Sequence, residues 1–407
     1  MPEKSQLIVG LEIGTSKVCA VVGELGANDA LNIIAVGNVR SRGVRKGEIA
    51  DAAQVEEDIR NAIVEAEQKA DMEIRSVFLG ITGGHVRGFI NRGVHPVVSA
   101  DREITEEDVE DVLKNARAIN IPAENTILQT VRQHFIVDGQ EGVINPVGFL
   151  GARLEADLHV VHGNTNRISN SVRAVRSLGL EVAQVVFNGI ASALGTLDAE
   201  QKELGTLVID MGGGTTDYVL YANGIIKHTG VLAVGGDHVT SDLAQGLKIS
   251  QSRADQLKME HGTALVEDPN TGQFIEVPGS VGLPSKRINL DHLRQIMAMR
   301  VEETLELIAM ELDRAGMLPW VRSGVVLCGG CAKIPQIDRL ASQIFSVPAT
   351  VARSVTASGL KSALDEPEFA TGIGIVKFGA MQAKRFETPR RGIIGILQTT
   401  LGGLLGR

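Results

Sequence analysis

The chain carries one strand–turn–strand device twice, and that repeat limits the possible fold more than any other feature. Residues 204–221 read LGTLVIDMGGGTTDYVLY. Leu207, Val208 and Ile209 make a short apolar run, as a buried strand does. Asp210 ends the run, Gly212, Gly213 and Gly214 allow close backbone approach, and Thr215 and Thr216 add hydroxyls. Asp217 opens a second strand over 218–221. The exposed N–H groups of such a bend form an anion cradle. Carboxylates cannot touch a phosphate directly, so a pair beside the cradle suggests a Mg2+ between, held through waters. Three glycines alone would equally fit an ordinary hairpin. A second copy favours the cradle: residues 7–24, LIVGLEIGTSKVCAVVGE, give a strand, acidic Glu12, the turn Gly14-Thr15-Ser16-Lys17, and a strand. Each copy continues into a third apolar run, at 32–39 and 224–234, and then into a helical segment. Two similar lobes facing one polyphosphate are expected. Neither G-x-x-x-x-G-K-[ST] nor a G-x-G-x-x-G opening a helix occurs.

Length and charge narrow the class. The 407 residues suffice for about two to four domains. Hydrophobic residues make up 43%, aromatics only 3%, as in a soluble α/β protein rich in turns. A net charge of −9 argues against nucleic acid as the main partner. Glu12 breaks the first apolar run, so no secretory signal is read, and no run approaches the ~20 residues that span a bilayer. Three cysteines cannot all pair, which favours a cytoplasmic protein. Cys328 and Cys331 have C-x-x-C spacing without a second pair, and they flank a Gly-Gly turn, so zinc is not expected. His159 and His162 fall on opposite faces of a strand.

Along the chain, Asp51 caps a helix whose stripe is Val55, Ile59, Ile63 and Ala66. A strand follows at 75–83. Residues 84–161 look like a small α+β insertion, with strands at 89–98, 127–137 and 153–161. Its helix opens at Thr105 with Glu106, Glu107 and Asp108 in the first turn, where the helix dipole favours them. Lobe one returns through a helix at 167–178, a strand at 181–187 and a short helix at 189–197. Lobe two begins at Gly205. It holds helices at 237–247 and 252–260, a polar loop-like stretch at 267–289 and a long helix at 291–313. A strand at 324–330, a helix at 334–344, a loop at 359–364 and a helix at 367–381 follow. That last helix contains Gly372, Gly374 and Gly379, which allow close packing. Residues 384–391 read as a linker.

With these residues in hand, the chain resembles the actin-like ATPase superfamily of actin, heat-shock chaperones and sugar kinases. Residues 10–17 look like its first phosphate motif, 210–217 its second, and 325–332 (VVLCGGCA) its adenosine motif. Within it the FtsA family of bacterial cell-division proteins is the nearer match, on GLEIGTSK, SRGVRKGEI, QEGVINPVG at 140–148, LGTLVIDMGGGTTD, TSDLA at 240–244, and the tail. The extra module follows the 75–83 strand, as in that family. The resemblance implies a two-lobed α/β fold of duplicated ribonuclease-H-like domains, each lobe with a smaller subdomain. The expected divisions are 1–83 plus 162–200 for the core of lobe one, 84–161 for its inserted subdomain, 201–234 plus 301–383 for the core of lobe two, 235–300 for its subdomain, and 384–407 for the linker and tail.

The resemblance also implies ATP with Mg2+ between the lobes. Gly14, Thr15, Ser16, Gly212, Gly213, Gly214, Thr215 and Thr216 would supply donors, and Lys17 would offset phosphate charge. Glu12, Asp210 and Asp217 would place the metal or its waters, with Glu12 standing where most of the superfamily has Asp. Gly329 and Gly330 would lie against adenosine, and Asp255 and Lys258 resemble the acid–lysine pair that holds ribose and base. Chaperone kinship puts the water-activating carboxylate after the 181–187 strand, where this chain has Asn188. An amide orients water but takes no proton, so hydrolysis should be slow or absent.

The family's further properties become expectations here. They are docking of the C-terminal peptide of FtsZ at Lys286, Arg287, Arg294 and Arg300 (the last at a helix start), and head-to-tail self-association, with the inserted module taking part and meeting later division proteins. They also include peripheral attachment to the cytoplasmic face of the membrane at the septum. For the last, residues 392–407 (GIIGILQTTLGGLLGR) place Ile393 or Ile394, Leu397, Leu401, Leu404 and Leu405 on one helical face. Lys384, Arg385, Arg390, Arg391 and Arg407 against Glu387 leave a net of four positive side-chain charges, suited to anionic lipid. Five glycines disfavour the helix in water, so binding would be coupled to folding. The alternatives are an FtsA-like pilus-assembly adaptor and, on the same fold, a metabolite kinase.

Overall fold

The computed structural model describes residues 6–26, 30–99, 101–268, 271–277, 285–354 and 357–387. The first lobe opens with β1 (Gln6–Ile13), β2 (Lys17–Leu25), β3 (Leu31–Arg40), the short β4 (Val44–Arg45) and β5 (Glu48–Ile49), α1 (Ala52–Ala70) and β6 (Ser76–Ile81). The inserted module is β7 (Arg87–Pro96), α2 (Glu106–Ala116), β8 (Asn125–Val137), β9 (Gln140–Val143) and β10 (Arg153–Asn164). The chain then returns through α3 (Thr165–Arg176), β11 (Glu181–Phe187), α4 (Asn188–Thr196) and α5 (Ala199–Leu204). The second lobe holds β12 (Thr206–Met211), β13 (Thr216–Ala222), β14 (Ile225–Leu232), α6 (Gly236–Leu247), α7 (Gln251–His261), β15 (Phe274–Val277) and β16 (Lys286–Asn289). It continues through α8 (Leu290–Arg314), β17 (Gly324–Cys328), α9 (Ile337–Phe345) and β18 (Ala349–Val351). β19 (Ser358–Gly359), α10 (Lys361–Leu364) and α11 (Ala370–Glu387) end the described chain.

The duplication is visible in strand order. One sheet runs β11-β6-β1-β2-β3-β19 and the other β18-β17-β12-β13-β14. In both, an antiparallel meander is joined to two parallel strands beyond its first member. Every residue of β12 and β13 is buried, as expected where both faces of a sheet are covered. In the module α2 opens with a capping box from Thr105 to Asp108, satisfying two of the amide groups its first turn leaves open.

The packing of α11 departs from the expected division. The sequence division places residues 301–383 in lobe two, yet Ile373, Val376 and Ala380 of α11 are buried with Ile8, Cys19, Val21 and Ile33 of the first sheet. The helix also crosses α4 with backbone on backbone. A Cβ at Gly374 would sit 1.7 Å from the Ala191 carbonyl oxygen, and one at Gly195 would sit 2.3 Å from that of Ala370. Three local readings also differ. The polar stretch at 267–289 contains the β15–β16 hairpin, 359–364 contains α10, and α11 runs through the expected linker as far as Glu387. The tail residues Arg390, Arg391, Ile393, Ile394, Leu397, Leu401, Leu404 and Leu405 lie outside the described residues.

The module meets the outer strand of each lobe's sheet. The Phe187 N–H of β11 donates to Gln129 Oε1 of β8 at 2.9 Å. His159 Nε2 of β10 lies 2.9 Å from Thr229 Oγ1 of β14.

Candidate functional site

The two glycine turns face each other across the lobes. A Cβ at Gly214 would lie 2.4 Å from Thr15 Oγ1, and one at Gly213 would lie 3.1 Å from Ser16 Cβ. Gly47 N–H donates to Thr15 Oγ1 at 2.9 Å, and Thr82 Oγ1 of lobe one donates to Asp217 Oδ1 of lobe two at 2.6 Å. Between the turns is a cleft open to solvent. Glu12, Gly14, Thr15, Ser16, Lys17, Thr82, Asn188, Asp210, Gly212, Gly213, Gly214, Thr215, Asp217, Gly329, Gly330 and Glu368 line it. Gly329 has φ +82°, a conformation that glycine adopts freely, and its missing Cβ leaves room for Asp210 Oδ1.

The electrostatics follow from burial. Glu12 and Lys17 form a 2.8 Å ion pair, so the Lys17 ammonium is already engaged rather than standing free in the cleft. Burial pushes the Glu12 carboxyl above its usual 4.5, against the pull of Lys17. Burial acts against the Lys17 charge, yet Glu12 beside it holds the ammonium pKa above its usual value. Burial, then the charge of Asp210, pushes Asp217 well above 3.8 despite its hydrogen bonds from Thr82 and Thr215. Four carboxylates, Glu12, Asp210, Asp217 and Glu368, share one cleft with a single committed lysine, and a divalent cation would relieve that excess. The buried Asn188 Oδ1 has no hydrogen-bond partner, which marks a place for a water or ligand donor. Among the described residues, no three His, Cys, Asp or Glu side chains are grouped to ligate a metal directly. The residues present therefore fit Mg2+ carried on waters and phosphate oxygens.

Not every predicted residue reaches the cleft. Thr216 is fully buried and its hydroxyl donates to the Val234 carbonyl. Asp255 and Lys258 pair with each other at 2.7 Å, Lys258 also donating to Thr240, and neither lines the cavity. Sequence reasoning missed Thr82 and Glu368. Thr82 precedes Gly83-Gly84 at the end of a strand, a signal that was available, whereas nothing near Glu368 marks it.

The cationic docking candidates all have partners. Lys286 Nζ donates to the Leu247 carbonyl at 2.6 Å, Arg287 lies 4.1 Å from the Phe274 ring centre, and Arg294 Nε lies 3.5 Å from the His261 carbonyl. Arg300 lies well inside α8 rather than at a helix start, and it pairs with Asp242 at 2.5 Å and with Glu303.

Comparison with known proteins supplies the lineage. A family model described as cell division protein FtsA matches residues 207–374, and one described as the SHS2 domain inserted in FtsA matches 83–162. The cell division protein FtsA of Pseudomonas aeruginosa is 37% identical over 377 residues, covering 93% of this chain and 90% of its own. That of Neisseria meningitidis is 34% identical over 408 residues, covering 100% and 98%. That of Escherichia coli K12 is 35% identical over 381 residues, covering 92% and 90%. Among solved structures, the PilM–PilN type IV pilus biogenesis complex aligns with TM-score 0.65 at 16% identity, over 92% of this chain and 98% of the other. MreB5 of Spiroplasma citri bound to ADP aligns with TM-score 0.56 at 17% identity, over 94% and 99%. Identities this low speak for the fold alone, and that fold is the two-lobed actin-like one. The duplicated sheets, the module after β6 and these full-length relatives agree: the chain belongs to the FtsA family of cell division proteins, with an actin-like part in division.

Proposed function

We propose that the protein binds ATP with Mg2+ in the cleft, self-associates, and ties FtsZ filaments to the cytoplasmic face of the membrane at the division septum. The observation that carries the nucleotide reading is the pair of opposed glycine turns with Glu12, Asp210 and Asp217 between them. Their amide and hydroxyl groups bind phosphate oxygens, and Gly329 with Gly330 leaves a flat wall for adenosine. Mg2+, when bound, neutralises phosphate charge. Glu12, Asp210 and Asp217 would orient its waters, and Lys17 pairs with Glu12 beside them. Asn188 orients a water beside the phosphates but cannot deprotonate it, so ATP serves as an assembly ligand and is turned over slowly or not at all.

FtsZ and membrane attachment rest on membership of the family and on the sequence of 384–407. An apolar stripe beside arginines suits the plane of an anionic bilayer surface, and polymerisation strengthens a weak single anchor through avidity. No described helix is long and apolar enough to cross a membrane. The test is flotation of purified protein and FtsZ with anionic vesicles, with ATP and Mg2+, for the full chain and for a chain lacking 391–407. The full chain should carry FtsZ to the vesicles and the shortened chain should bind FtsZ without floating. A shortened chain that floats as well as the full one removes the tail as the anchor, and FtsZ left behind by the full chain overturns the tether.

A further inference from the structure

Asp210 is 7% exposed, and its two oxygens serve different neighbours. Oδ1 faces Gly329 at the cleft wall, 2.5 Å from where a Cβ there would stand. Oδ2 accepts from two hydroxyls, Ser192 Oγ and Thr371 Oγ1, each at 2.5 Å. The two hydroxyls lie 3.0 Å apart and are buried, Ser192 at 0% and Thr371 at 2% exposure. Each has one proton to give. Ser192 Oγ also lies 2.9 Å from the Asn188 carbonyl oxygen, and its shorter contact, to the charged Asp210 oxygen, is the one that takes the proton. Ser192 stands on α4 of lobe one, Thr371 on the first turn of α11, and Asp210 at the end of β12 in lobe two. Three elements that would otherwise move with different lobes are thus joined at a single oxygen.

We propose that Ser192 and Thr371 are positioning residues that fix the Asp210 carboxylate with Oδ1 toward the cleft, and that this clasp couples Mg2+-nucleotide occupancy to helix α11. The inference rests on the nucleotide reading above. A buried carboxylate with one oxygen held by two hydroxyls cannot rotate freely, so its other oxygen is presented in a set direction. Any pull on Oδ1 by a hydrated cation is then borne by Thr371, and so by the helix whose chain continues into the basic tail. Backbone contact between α11 and α4 leaves no soft side-chain layer to absorb that displacement.

The test uses the full chain and the substitutions Thr371→Val, Ser192→Ala and Thr371→Ser. Affinity for labelled ATP is titrated against Mg2+, and hydrogen exchange of α11 amides is followed with and without Mg2+-ATP. Thr371→Val and Ser192→Ala should each raise the Mg2+ needed for half-maximal tight binding by about tenfold, the size expected for one hydrogen bond to a charged group. Affinity without Mg2+ should stay within about twofold. The slowing of α11 exchange by Mg2+-ATP should be lost, and Thr371→Ser should restore both. A merely structural role would lower affinity equally with and without Mg2+. Should Thr371→Val fail to fold, Ser192→Ala with the Thr371→Ser control carries the test. If the parent chain binds nucleotide and the folded variants show its Mg2+ profile, the clasp is refuted alone. If the parent shows no saturable nucleotide binding, the nucleotide reading falls and takes the clasp with it.

Discussion

Gly330 allows the nucleotide reading to be separated from the stability of the fold. It lines the cleft just after β17, its φ lies outside the left-handed region, and a Cβ built on it meets no other heavy atom within 4 Å. Gly330→Val therefore keeps an allowed backbone and enters open space, and unfolding free energy should move by less than about 0.5 kcal/mol. The same isopropyl group stands where adenosine is proposed to lie. Forcing one or two methyl groups into a packed contact costs about 1–3 kcal/mol, and that range corresponds to about a 5- to 150-fold weaker Kd. Gly329→Ala makes the contrast, since at φ +82° its Cβ would stand 2.5 Å from Asp210 Oδ1 and 2.6 Å from the Met211 carbonyl. It should lower stability itself, by about 2 kcal/mol or more. The assays are thermal unfolding and equilibrium binding of labelled ATP with Mg2+. If Gly330→Val binds ATP as the parent does, the nucleotide does not lie over this turn.

Burial raises the Asp217 pKa well above 3.8, so the folded chain holds that proton more tightly than the unfolded one. Its contribution to stability is full below about pH 3.8 and is lost as pH rises through the raised value. Asp217→Asn should therefore raise the Tm of the nucleotide-free protein at neutral pH while weakening Mg2+-dependent ATP binding, and a lower Tm would refute the argument. His159, pushed down to about 3 by burial and by His228, stays neutral in the fold while the unfolded chain takes up a proton below about pH 6.5. Stability from this site is present above that pH and falls on acidification. His159→Gln should flatten the acid limb of the Tm-against-pH curve, and an unchanged slope would count against it. Arg300→Glu should abolish binding of the FtsZ C-terminal peptide, measured by fluorescence anisotropy, while ATP affinity survives. Unchanged peptide affinity would take Arg300 out of the dock.

The duplicated hairpins were legible because strands buried on both faces must be apolar throughout, so Glu12, Asp210 and Asp217 stand out against them. Thr105 and Asp108 announced α2 in the same local way. The destination of α11 was not legible. Its pattern shows a helix able to pack closely, but apolar residues and glycines do not say which sheet receives them. The β15–β16 hairpin was hidden by polar composition, since a two-stranded ribbon has little apolar surface to hide. The clasp at Asp210 is beyond local reading, because its partners lie 18 and 161 residues away. The Glu12–Lys17 pair shows the opposite limit. Both residues were picked out by their place in the motif, but the motif suggested that each faces the ligand, and burial instead favours their facing each other.

A strand at the rim of a sheet carries backbone N–H and C=O groups that can recruit a strand from another chain. The rims at β11 and β14 are each met by the module, through Gln129 on Phe187 and through His159 on Thr229. Gly88 of β7 sits so near Thr229 that a Cβ there would stand 1.9 Å from its hydroxyl oxygen. In a crowded layer of copies, sheet-to-sheet growth from these two rims is sterically closed. At these two rims, contacts between copies are left to side-chain surfaces, which can be made and broken without the near-irreversibility of a shared β-ladder.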